Sequence, residues 1–230
     1  MNSDLSPLII SIKTSLASTI ITFFLGIFTA WFMTYRKRRY EGLLDAIFTL
    51  PMVLPPTVLG FFLLLILGKN GPIGRLLYEF NIKIIFSWSA TVIAAAVVSF
   101  PLMYKTTKGA FEQIDNNILN AARTLGVSEW RIFWTITLQL AWPGVASGTI
   151  LAFARALGEF GATLMIAGSI PGKTQTIPLA IFFAVESGDI NKALYWVISI
   201  TIISFTVIIL TNIWTNYQKK LISSGGTKIK

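Results

Sequence analysis

Five apolar runs, most of them closed by basic residues, limit what this chain can fold into more than any other feature. They cover residues 8–32, 43–67, 84–104, 136–168 and 193–213, each long enough to cross a bilayer as a helix of about 20 residues. In hydrocarbon every backbone polar group must be satisfied within the protein, so runs of this kind specify helices. The expected fold is an all-α membrane protein with five transmembrane helices. The second run holds Pro51, Pro55 and Pro56, whose missing N–H donors free carbonyls that lipid cannot satisfy; that backbone is expected to face protein or an aqueous path. Residues 69–83 form a short outer loop around the Gly71-Pro72 turn, and residues 170–189 hold an apolar run too short to span, expected as a re-entrant or outer-surface segment.

Composition supports this class. Hydrophobic residues make up 54% of the 230 and charged ones only 13%. The net charge of +9 comes from short basic clusters between apolar runs, which argues for topology and against nucleic acid. Arg36, Lys37, Arg38 and Arg39 close the first run, Lys105 and Lys108 follow the third, and Lys219 and Lys220 follow the last. Counted over the whole chain, twelve basic residues fall on one side and six on the other, with Arg155 between them. The richer side is cytoplasmic by the positive-inside rule, so the N-terminus is expected outside and the C-terminus in the cytoplasm. The chain opens MNSDLS, without a basic leader region, and its first run is read as a retained span. Neither Cys nor His occurs, which removes thiolate chemistry, disulfides, His-ligated metals and His acid/base catalysis.

Residues 115–131 break the apolar pattern. Asp115 can cap a helix over residues 116–125, with Ile118, Ala122 and Leu125 on one stripe, and Gly126 can take the left-handed conformation that ends it. Ser128 can then cap a second helix that has Glu129 in its first turn. A ten-residue helix alone in water is marginal, so this one needs something to dock against. The fourth run carries Arg155 and Glu159, four apart on one helix face. Two readings stand for them: a pair that neutralises itself and fixes helix packing, or a source of positive potential along an anion path. Gly158 and Gly161 likewise read as gate hinges or as packing devices. Trp31, Tyr35, Trp88, Trp196, Trp214 and Tyr217 fall near span ends, as interfacial anchors do.

The segment NAARTLGVSEWRIFWTITLQLAWPG, residues 120–144, resembles the cytoplasmic EAA loop of importer-type ABC permeases, with Ala121, Ala122 and Gly126 in the characteristic places. Asn120 stands where that family usually has Glu, and Gln139 where it usually has Pro. The runs FARALGEFGATLMIAG and IPGKTQTIPLAIF narrow the resemblance to oxyanion importers, more similar to those for molybdate or tungstate than to those for sulfate or thiosulfate. The resemblance implies a multi-pass permease of a prokaryotic cytoplasmic membrane. It also implies a homodimer with its path on the two-fold axis, two copies of a cytoplasmic ATP-binding subunit, and an extracytoplasmic oxyanion-binding protein. Asn120, Ala121, Ala122, Gly126, Ser128 and Glu129 are then the ATPase-coupling residues. Arg155, Gly158, Glu159, Gly161 and Thr163 are the candidate path or gate. No cofactor is expected on this chain, which has no complete GxxxxGK[ST] phosphate loop; ATP and Mg belong to the partner subunit. An ATP-independent channel or secondary transporter is the alternative. An intramembrane enzyme would need a catalytic constellation that a chain without His or Cys does not offer.

Overall fold

The computed structural model describes residues 5–35 and 40–225, with side chains described except at 210, 212 and 214–225. The basic cluster Arg36–Arg39, Lys228 and Lys230, and the side chains of Trp214, Tyr217, Lys219 and Lys220, lie outside what is described. In chain order the helices are α1 (Ser6–Tyr35), α2 (Glu41–Val53), α3 (Pro56–Leu67), α4 (Pro72–Glu79), α5 (Trp88–Glu112), α6 (Asn116–Thr124) and α7 (Glu129–Ile132). A π-helical turn, Phe133–Thr137, joins α7 to α8 (Leu138–Leu157), followed by α9 (Gly161–Ala167), α10 (Ile177–Glu186) and α11 (Ile190–Gly225). No strand occurs among the described residues.

Four continuous helices are long and apolar enough to cross a membrane: α1, α5, the run Glu129–Leu157, and Ile190–Ile209 within α11. The fifth expected span is not one straight helix: α2 and α3 are long and apolar enough to cross only when taken together. Pro55 and Pro56 end α2 and start α3, and the two halves meet at 114°. Pro fits the first turn of a helix because its missing N–H would be unsatisfied there in any case, so the second half restarts without loss. Residues 69–83 contain α4, and the short run near 180 is the ten-residue α10, as its length requires.

The bundle is built around α1, α5 and α8. Between lipid-embedded helices no water is released on contact, so close packing and hydrogen bonds must hold them. Helix α1 shows how. Its buried face is Ser11, Thr14, Ser15, Ser18, Thr22, Gly26 and Ala30, while Ile9, Leu16, Ile20, Phe24 and Phe28 point outward. The hydroxyls bond inward: Ser15 Oγ donates to Ser11 O at 2.8 Å and Thr19 Oγ1 to Ser15 O at 2.6 Å. Thr14 reaches Thr91 of α5 at 3.0 Å and accepts from Trp88 Nε1 at 3.1 Å, and Ser11 accepts the Ile177 N–H at 2.8 Å. At the opposite end of α1, Tyr35 meets Phe111 and Trp31 meets Phe133. Helices α1 and α5 therefore run parallel, and α8 returns against them. Lys105, Lys108, Arg123 and Arg131 gather at the Tyr35 end, the grouping that the charge count predicts.

Trp196 differs from its expected place. It is buried with Ile177 and Ala180 and packs as core, not as an interfacial anchor. Nothing in its sequence neighbourhood distinguishes the two, since both fall near the start of a span.

Candidate functional site

Two regions carry the residues singled out above. The first is the docking element. Asp115 caps α6 as expected, its Oδ1 accepting the Asn117 N–H at 2.8 Å, and Gly126 ends the turn with φ of +75°. Ser128 occupies the first position before α7 but makes no side-chain cap; only its carbonyl takes part, accepting the Ile132 N–H at 2.9 Å.

The apolar stripe needs correction. Leu119 and Ala122 are buried, packed with Ile132 and flanked by Tyr35, Ile114 and Ile136, whereas Ile118 faces out and Leu125 is 82% exposed. The element docks on the end of α1 through one face and leaves a second face, with Asn120, Ala121 and Leu125, open. Asn120, Arg123 and Glu129 form a network on that surface. Arg123 Nη1 donates to Asn120 Oδ1 at 2.9 Å, and its Nε donates to Glu129 Oε1 at 2.6 Å. Hydrogen bonding to Glu129 holds the Arg123 guanidinium more firmly protonated than usual. With that carboxylate already on Arg123, an amide at 120 completes the network, and a second carboxylate there would compete for the same donor. Replacing Asp115 by Ala should cost about 1 kcal/mol of α6 stability. The expected result is faster amide hydrogen exchange confined to residues 116–121, with α5 and α8 unchanged.

An open groove of about 860 Å³ lies beside this element, lined among others by Lys105, Gln113, Asp115, Ile118, Pro143 and Ser147. Next to it is a cluster the sequence reading missed. Asp45 of α2 accepts from Tyr104 Oη at 2.7 Å, Lys105 Nζ at 2.6 Å and Lys108 Nζ at 3.2 Å. Lys108 also pairs with Glu112 at 3.6 Å and Glu41 at 3.9 Å. The cluster ties the start of α2 to the end of α5. The available signal was a lone carboxylate one turn into an apolar run, a residue that must find a cation.

The second region is the break in the fourth apolar run, which is two helices and not one. Helix α8 stops at Gly158 and α9 begins at Gly161. Arg155 and Glu159 do pair across it, Nη1 to Oε2 at 2.9 Å, and Glu159 Oε1 also accepts the Ala162 N–H at 2.8 Å. Gly161 is a packing device: a Cβ there would stand 3.0 Å from Pro56 Cβ. Its counterpart on α3 is Gly60, where a Cβ would lie 2.9 Å from Ala162 Cα and 2.6 Å from Met165 Cβ. A Cβ at Gly158 would make only an ordinary contact, 3.8 Å from Ala154 O, and Thr163 is buried. Among the described residues no cluster of His, Cys, Asp or Glu could hold a metal.

A bundle of spans with a docked amphipathic element at one end and a broken span packed on another is the architecture of a transporter's membrane component. The family described as "Binding-protein-dependent transport system inner membrane component" matches residues 22–224, and the chain belongs to it. The chain is 45% identical over 204 residues to the putative molybdenum transport system permease protein YvgM of Bacillus subtilis, covering 88% of this chain and 90% of that one. It is 44% identical to the molybdenum transport system permease protein ModB of Escherichia coli K12, covering 87% and 89%. A probable sulfate transport system permease protein, cysT of Chlorokybus atmophyticus, is 32% identical, covering 91% and 72%. Among solved structures the fold is shared with the inward-facing MetNI methionine ABC transporter, with a TM-score of 0.72 at 13% identity, covering 93% and 95%. A bacterial alginate ABC transporter in complex with its pentasaccharide-bound periplasmic protein superposes with a TM-score of 0.75 at 13% identity, covering 92% and 78%. The chain is thus a multi-pass membrane component of a transport system, a permease subunit and not an enzyme.

Proposed function

We propose that this chain is the permease subunit of an ATP-driven importer for molybdate or tungstate, receiving the anion from an extracytoplasmic binding protein. The observation that carries the reading is the likeness, over nearly nine-tenths of the chain, to permeases named for molybdenum transport, against a weaker likeness to a sulfate permease. The N-terminus lies outside and the Tyr35 end, with its basic residues, faces the cytoplasm of a prokaryotic cell. Two copies form the path, and each docks an ATP-binding subunit on the open face of α6, around Asn120, Ala121, Leu125 and Gly126. ATP with Mg belongs to that subunit. Its closure moves α6, and because α6 is packed on Tyr35 of α1 and on Ile132 and Ile136 ahead of α8, the spans rock between inward-open and outward-open.

Arg155 supplies positive potential to the path, and neighbouring hydroxyls and amides supply weak contacts, since a path must release what it takes. The test is uptake into liposomes carrying the permease, its ATPase and its binding protein. Labelled molybdate should accumulate only with ATP, and excess sulfate should leave uptake unchanged. Sulfate accumulation in preference to molybdate would move the substrate to the sulfate class. Uptake that persists with a hydrolysis-dead ATPase would overturn the ATP-driven reading.

A further inference from the structure

Glu159 is 2% exposed, and its two oxygens hold different segments. Oε1 is fixed by the Ala162 N–H at the start of α9. Oε2 stands 2.9 Å from Arg155 Nη1 on α8, yet no donor is aimed at it in hydrogen-bonding geometry. The two groups form an ion pair there, with the carboxylate buried and the guanidinium reaching it from α8. The Arg155 side chain is 32% exposed, far more than the Glu159 side chain it pairs with. The rest of the break is firmly placed: Gly161 lies against Pro56 and Thr57, and the Phe160 ring sits 5.2 Å from that of Phe182. Arg155 is the movable member of the pair and Glu159 the fixed one.

We propose that Glu159 sets how loosely the path holds its cargo, by competing with the passing dianion for the Arg155 guanidinium. The inference rests on the reading of this chain as an oxyanion permease subunit. A lone guanidinium at membrane depth would bind a dianion tightly, because charge interactions are strong in a poorly solvated site. A path needs the opposite, attraction on entry and ready release. Paired with Glu159 the site carries no net charge. An arriving dianion carries twice the charge of the carboxylate and can take over the guanidinium, at the cost of the 2.9 Å contact with Glu159. The carboxylate stays anchored on Ala162 and repels the dianion as Arg155 swings back. Glu159 is in this sense a positioning residue for Arg155, and its capping of α9 keeps the competing charge in place.

The test compares the wild-type permease–ATPase complex with Glu159→Gln, Arg155→Met and the double variant. Glutamine keeps a side-chain oxygen to accept the Ala162 N–H, so the cap survives while the charge is removed. Equilibrium dialysis of the detergent-purified complexes against molybdate alone, without binding protein, reads retention; liposome uptake with the binding protein reads turnover. Glu159→Gln should bind molybdate about tenfold more tightly than wild type and turn over about tenfold more slowly. The double variant should lose that binding and recover turnover relative to Glu159→Gln. Wild-type binding and turnover in Glu159→Gln, or a double variant as slow as Glu159→Gln, would overturn the proposal and leave Glu159 a structural cap. A wild-type complex that moves sulfate and not molybdate overturns only the substrate assignment, and the same four proteins are then compared with sulfate. One that moves neither removes the oxyanion reading and the inference with it.

Discussion

Gly60→Val should abolish transport by separating α3 from α9. Any β-carbon at 60 falls 2.9 Å from a backbone atom, Ala162 Cα, and 2.6 Å from Met165 Cβ, so the flexible end of a side chain cannot absorb the clash. Overpacking of this kind costs about 3 kcal/mol, the upper part of the usual range, because helix backbones must move apart. That movement also withdraws the Pro56–Thr57 corner from Gly161 and loosens the broken span. The expected result is a thermal midpoint lowered by several degrees and uptake at background. Gly42→Val is the control: a Cβ at 42 meets nothing within 4 Å. Near-equal loss in both variants would show that α3–α9 contact is not what the glycine provides.

The second large effect is expected at Leu125. A leucine 82% exposed, at the end of a helix whose other face is already docked, has no folding role in the single chain. Leu125→Asp should leave the permease folded and lower its affinity for the ATP-binding subunit about thirtyfold, as loss of a buried anchor at an interface does. Leu119→Ala separates this from damage to the element itself. It empties a buried site among Ala122 and Ile132, costs about 3 kcal/mol, and should lower stability and association together. Co-purification of the two subunits, read beside the permease's thermal midpoint, distinguishes the variants. Unimpaired co-purification of Leu125→Asp would place the docking face elsewhere.

What could be read from the sequence follows the range of the forces concerned. The docking helix was legible because its signals are local: Asp115 bonds two residues on, and Gly126 takes its conformation without help from neighbours. Its orientation was not, because Ile118 and Leu119 are equally apolar and adjacent. Only the docked partners, Tyr35 and Ile132, decide which turns in. The prolines marked a fault in the second span, but neither the 114° bend nor the packing of α3 on α9 at Gly60 is written in them. The pairing of Arg155 with Glu159 was expected from helical spacing, though Glu159 lies just past the end of α8. The second duty of Glu159, on Ala162, needed the chain to break at Gly158, which an uninterrupted apolar run conceals. Asp45 was passed over because its cations, Lys105 and Lys108, are some sixty residues away and already had an explanation as topology marks.

Helix α1 wears its apolar bulk on the outside and its serines and threonines within, the reverse of a helix in a water-soluble core. The two faces therefore answer to different rules. The outward one must only be greasy, so isoleucine, leucine and phenylalanine can exchange there at little cost. The inward one works by size: a Cβ added at Gly26 runs into Met103 of α5, so bulk there pushes α5 away. A hydropathy scale ranks the outer face as the one that matters and scores the inner one as a weakness. For engineering this helix the ranking should be inverted, with volume at the hydroxyl face held fixed and the apolar face left free to vary.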